Sequence, residues 1–188
     1  MDTERISAVG HGAHASADGG RRTLFVALSM LVVLLVVSGA AARADEMHLL
    51  INGKAIHFDK RSNVRYNEDN WGAGFQYEWS ETPEGWVPFV TAAWFDDSNE
   101  NPSYYAGGGA LRRFHFGGRA DGWHADLGLV AFLMTRKGYK DGDPFPGVLP
   151  AFSFGTKTFS VNATYVPRVD PKTVPLVFFQ LKLRLAEF

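Results

Sequence analysis

The residues with the clearest capacity for chemistry are Asp96, Asp97 and Ser98, which follow the apolar run ending at Trp94 and Phe95. Carboxylates beside a hydroxyl at the end of a strand-like segment supply a proton acceptor and a nucleophile, the components of proton or acyl transfer. The same residues also suit a solvated loop tip, because Asp, Ser and Asn bond readily to their own backbone in turns. Beyond Pro102 the chain re-enters an apolar segment, Tyr104-Tyr105-Ala106-Gly107-Gly108-Gly109. Glycines inside a strand weaken it and mark a close approach of backbone or ligand. The elements around this loop decide between the two readings.

Those elements have a period of two. Trp71, Ala73, Phe75, Tyr77 and Trp79 alternate with Gly72, Gly74, Gln76 and Glu78. Val177, Phe179, Leu181, Leu183 and Leu185 alternate with Phe178, Gln180, Lys182 and Arg184. One face is broad, apolar and ends in aromatics, while the other carries Gln, Glu, Lys and Arg. That is the apolar-out, polar-in pattern of a transmembrane barrel. Turn signals divide the chain into eight strands, near 48–58, 71–79, 86–95, 104–116, 123–136, 145–154, 157–166 and 175–185. Each approaches the length a tilted strand needs to cross a bilayer. The connections at 80–85, 117–122 and 155–156 read as short turns, and those at 59–70, 96–103, 137–144 and 167–174 as longer polar loops. The expected fold is all-β, an eight-stranded antiparallel barrel over residues 45–188, closed so that no strand edge meets lipid.

Residues 1–44 read as an export signal: Arg21-Arg22, an apolar run over 23–37, and a small-residue stretch ending at Ala44. The chain of 188 residues carries 19 Lys and Arg against 20 Asp and Glu. That balance excludes a nucleic-acid partner of the basic-patch kind. With no cysteine there is no disulfide, thiolate metal site or cysteine nucleophile.

Barrel topology constrains the chemistry. If the first strand rises from the periplasm, the first and third strands end at the same rim, which brings His57 together with Asp97 and Ser98. In the fifth strand one face reads Val130, Phe132 and Met134 above Asp126 and His124. Those three residues either line an apolar well able to hold an acyl chain or simply pack the lumen. Pro144, Pro146, Pro150 and Pro167 each remove a ladder donor, which leaves the sixth and seventh strands incompletely zipped and open to lipid from the side.

Four ordered blocks resemble the outer-membrane lipid A palmitoyltransferases, the PagP family. They are Arg65-Tyr66-Asn67-Glu68 with Trp71-Gly72-Ala73-Gly74-Phe75; Phe95-Asp96-Asp97-Ser98 with Ala106-Gly107-Gly108-Gly109; the segment from Pro144 to Pro150; and Thr164-Tyr165-Val166-Pro167. The resemblance implies a catalytic trio of His57, Asp97 and Ser98. It also implies Gly109 as the floor that measures the acyl chain, and Pro150 and Pro167 as flanks of the lipid entrance. It implies a palmitoyl or similar chain passed from a glycerophospholipid to lipid A in the outer membrane, by a monomer inserted by the barrel-assembly machinery, with no metal or organic cofactor. The chain departs from the family in leaving no room for an amphipathic helix before the first strand and in carrying Asn70 where the family has proline. Competing functions are a non-catalytic small barrel, a lipid A deacylase or phospholipase barrel, and a soluble lipocalin-like binder.

Overall fold

The computed structural model describes residues 44–59, 63, 65–116, 122–168 and 174–188. The expected leader lies outside these residues except for Ala44. Eight strands run in sequence order: β1 (Glu46–His57), β2 (Asp69–Glu78), β3 (Trp86–Asp96), β4 (Pro102–His115), β5 (His124–Thr135), β6 (Phe145–Gly155), β7 (Phe159–Val166) and β8 (Leu176–Glu187). Each pairs antiparallel with its predecessor, and β8 closes on β1. We call the end carrying His57 the upper rim and the end carrying Glu46 and Glu187 the lower rim.

The alternation read from the sequence is the inside–outside alternation of this cylinder. Trp71, Trp94 and Tyr165 ring the outside near the upper rim; Trp86, Phe114, Trp123, Phe154 and Phe159 do so near the lower. Between them Leu127, Leu129, Leu133 and Val148 are exposed. This is the apolar band with aromatic girdles that a bilayer requires. Strand ends differ from the sequence reading by one or two residues, and two of these differences change what lies at a rim. Ala186 and Glu187, which look like a trailing end, pair with Met47 and Glu46 and extend β8. Asp96 pairs with Pro102, so the connection expected over 96–103 contracts to 97–101. It is shorter than the 79–85 turn at the lower rim, and loop length therefore does not distinguish the two ends.

The lower lumen is filled by an ion network. Arg113 donates to both oxygens of Asp126 at 2.9 Å each and to Glu78 at 3.0 Å. Lys182 bonds the other oxygen of Glu78, and Gln76 donates to that oxygen at 2.7 Å. Such charges persist in a dry interior only when paired. Above this plug Phe89, Leu111 and Val130 form a buried apolar layer, with Phe132, Leu149 and Ala151 packed on it. The three glycines of β4 are fully in register with β3 and β5, so they thin the wall without breaking it.

Candidate active site

One irregularity aims the site. In β1 the inward residues are Glu46, His48, Leu50 and Asn52, and strict alternation from there would turn His57 outward. Against β8, β1 takes three steps from Asn52 to Ala55 where β8 takes two, from Gln180 to Phe178, so β1 carries one extra residue there, a bulge. Against β2 the register shifts the other way, two steps from Asn52 to Lys54 facing three from Gly72 to Asp69. Ala55 and His57 become the buried positions instead. An extra residue in one strand flips every side chain beyond it, and here it carries an imidazole from the lipid face into the lumen.

At the upper rim His57 Nε2 lies 2.9 Å from Ser98 Oγ. Ser98 belongs to the tight 97–101 connection, and buried Asp97 holds that turn. Its Oδ1 accepts the amides of Asn99 (2.8 Å) and Asn101 (3.1 Å), and its Oδ2 accepts Arg136 Nε (3.2 Å). The structure thus brings His57 and Ser98 into direct contact, whereas Asp97 shapes the loop that presents Ser98. His48, the other imidazole of β1, sits at the lower rim, 3.3 Å from Glu46 and 3.7 Å from Glu78. The donor atoms of those three residues lie close enough to bind a cation, but both oxygens of Glu78 already face Lys182 and Arg113.

The segment 65–68 folds over this pair. Tyr66 stacks on His57 with ring centroids 4.8 Å apart. The Asn67 amide donates to the Ser98 carbonyl at 2.9 Å, and its side-chain nitrogen donates to the Asp97 carbonyl at 3.3 Å. Glu68 places Oε1 3.6 Å from His57 Nδ1. Together with Lys54, Arg65, Asn99 and Glu100, these residues line a polar cleft of about 490 Å³ that opens beside Ser98. Tyr66, Asn67 and Glu68 entered the sequence reading only as a motif, and Arg136 did not enter it. Strand parity carries a signal for Arg136, which directly follows β5 at the same rim.

Beneath the rim the upper lumen is lined largely by apolar side chains, with Phe95 packed against Tyr105 and Phe178 (ring centroids 6.3 and 5.1 Å apart) and Gln180 donating to Asn52 and to the Tyr105 hydroxyl. Inward Gly107, Phe132, Met134, Gly147, Leu149 and Phe178 are all half-exposed, whereas inward Asp126, Ser153, Ser160 and Lys182 below them are buried. Phe132 and Met134 therefore line accessible space, while Val130 belongs to the buried layer at its base. Gly109 lies at that base, paired with Phe89 on one side and Val130 on the other. A Cβ there would come 3.1 Å from the Phe89 ring and 2.0 Å from the Leu129 carbonyl oxygen. On the wall, β5 and β6 share eleven paired positions, but β6 and β7 pair only from Ala151↔Thr164 to Gly155↔Ser160. Residues 145–150 are unpaired on that side, with Pro146 and Pro150 facing outward and Pro167 just beyond the end of β7.

The family described as "Antimicrobial peptide resistance and lipid A acylation protein PagP" matches residues 41–181. This chain belongs to the PagP family. A "Lipid A acyltransferase PagP" of Methylobacillus flagellatus is 34% identical over 110 residues, which is 58% of each chain. One of Bordetella pertussis is 29% identical over 139 residues, 69% of this chain and 74% of that one. One of Citrobacter rodentium is 33% identical over 113 residues, 58% of this chain and 56% of that one. The match thus spans little more than half the length of two of these PagP relatives. The outer membrane protein Ail of Yersinia pestis aligns with a TM-score of 0.41 at 12% identity, covering 74% of this chain and 99% of that one.

Proposed function

We propose that this barrel is a lipid A acyltransferase of the outer membrane, moving a palmitoyl or similar chain from a glycerophospholipid to lipid A. The observation that carries this reading is the 2.9 Å contact of His57 Nε2 with Ser98 Oγ at the mouth of an apolar well. A donor acyl chain lies in the well with its ester at the rim. Between the level of Ser103 and Gly109, six residues of β4 span about 20 Å along the strand at roughly 3.3 Å per residue. A tilt of about 40° makes that about 15 Å of depth, on the scale of a long acyl chain. His57 takes the proton of the attacking hydroxyl as a bond forms to the ester carbon. That hydroxyl is Ser98, or an acceptor hydroxyl of lipid A that Ser98 helps to orient. The lysophospholipid oxygen leaves with the proton returned by His57; where Ser98 is the nucleophile, a lipid A hydroxyl then gives its proton to His57 and attacks the acyl-Ser98 ester, and Ser98 leaves with that proton returned. Asp97 keeps Ser98 in place by holding its loop. The unpaired stretch of β6 is the lateral entrance, and Gly109 with Phe89 is the stop for the chain. Closing that entrance with Leu149→Cys and Val166→Cys should block transfer, and reduction should restore it.

The decisive experiment expresses the chain in a host lacking such activity and weighs its lipid A. Added acyl mass, absent with Ser98→Ala in an equally folded barrel, is the expected result. Loss of acyl mass would make the protein a deacylase, and an unchanged profile with labelled phospholipid present would leave a non-catalytic barrel.

A further inference from the structure

The segment 65–68 has a role that the proposed mechanism leaves unassigned. Resting on the reading of His57 as general base, we propose that Glu68, rather than Asp97, is the positioning residue that fixes His57 in the tautomer bearing its proton on Nδ1. A base that must accept through Nε2 needs its other nitrogen protonated, and a carboxylate facing Nδ1 selects that form. Glu68 Oε1 stands 3.6 Å from Nδ1 and 3.4 Å from the His57 amide nitrogen, which donates to it. Glu68 is anchored for this task, because its own carbonyl accepts the Ala55 amide at 2.8 Å, two residues before His57 on β1. The separation to Nδ1 is ion-pair range rather than hydrogen-bond range, and catalytic contacts commonly tighten once substrate is bound.

The alternative carboxylate is already committed. Asp97 gives Oδ1 to the amides of Asn99 and Asn101, and Oδ2 to Arg136. Among the described residues, Tyr66 stacks on the face of the imidazole and Ser98 meets it at Nε2; Lys54, a cation of β1, is bonded to Asp69 at 2.8 Å. Glu68, Tyr66 and Ser98 therefore hold the ring at Nδ1, on its face and at Nε2.

The test compares Glu68→Gln, Glu68→Asp and His57→Asn in the full-length barrel reconstituted in phospholipid vesicles containing lipid A. Acyl transfer kinetics are read alongside the ¹⁵N resonances of the His57 ring, assigned by difference from His57→Asn. Support is a kcat lower by about 10²-fold in Glu68→Gln, within the range for acid–base components, with KM unchanged. Glu68→Asp should recover about tenfold of this, and Glu68→Gln should show a mixed tautomer where the parent shows protonated Nδ1. A Glu68→Gln kcat equal to the parent, with His57→Asn inactive, overturns the inference and leaves the general-base reading standing. An active His57→Asn removes both. If Glu68→Gln does not insert, the parent spectrum alone decides, and a ring protonated on Nε2 overturns the proposal.

Discussion

The lower ion network should respond asymmetrically to losing its two central partners. Glu78 is held by Lys182, by Arg113 Nη2 at 3.0 Å and by Gln76 Nε2 at 2.7 Å. Lys182 is 2% exposed and faces Glu78 as its carboxylate partner. Removing one side of a buried pair costs about 3–5 kcal/mol when the survivor is stranded. Glu78→Gln strands Lys182 beside Arg113, a second cation, so it should cost that full amount. Lys182→Met leaves Glu78 with Arg113 and Gln76, which should hold the loss to about 1–2 kcal/mol, a charge-assisted hydrogen bond or less. The double variant strands neither group and should be more stable than Glu78→Gln alone. Urea unfolding in phospholipid vesicles, followed by the five tryptophans, reads these differences. At a slope near 2 kcal/mol per molar, Glu78→Gln should move the midpoint by about 2 M and Lys182→Met by less than 1 M. Acyl transfer per folded barrel should be unchanged in all three. Equal costs for the single variants would refute the pairing scheme. Lost transfer in folded Lys182→Met would refute the separation of a structural lower half from a chemical upper half.

Deleting Gly53 should remove the β1 bulge and turn His57 toward lipid, leaving a folded barrel by circular dichroism with transfer reduced by 10²-fold or more. Gly109→Met should fill the base of the well and push on Phe89 and the Leu129 carbonyl. The acyl chain added to lipid A should shorten, and the urea midpoint should fall by the equivalent of about 1–3 kcal/mol of overpacking. Arg136→Met frees one oxygen of Asp97 but leaves the two turn amides bonded, so kcat should fall about tenfold with unfolding unmoved; an unaffected kcat would show that the backbone bonds alone hold Ser98.

The cylinder was legible because lipid leaves the outer face little choice. Leu127, Leu129 and Leu133 must alternate with Asp126, Gly128 and Val130, and strand ends follow from the turn residues between them. The Asp97-Ser98 loop was legible for a related reason, since a polar cluster closing an apolar strand has to lie at a rim. The bulge was not legible. Asn52-Gly53-Lys54 is polar whichever way it faces, and an inserted residue leaves no mark on local alternation. Only pairing to β8 reveals it. The ion network hides for the same reason: Glu78, Arg113, Asp126 and Lys182 each read as inward, but the barrel's register decides which carboxylate meets which cation. Glu68 was visible as part of a motif, yet its relation to His57 depends on how residues 65–68 lie over the rim, and side-chain period says nothing about loops. What alternation encodes is the wall, whereas the chemistry depends on two departures from it, a one-residue insertion in β1 and a loop folded back over it. Their joint effect is to turn His57 into the lumen and put Glu68 and Ser98 on its two ring nitrogens, an arrangement that the three-variant comparison at Glu68 and the deletion of Gly53 probe from opposite sides.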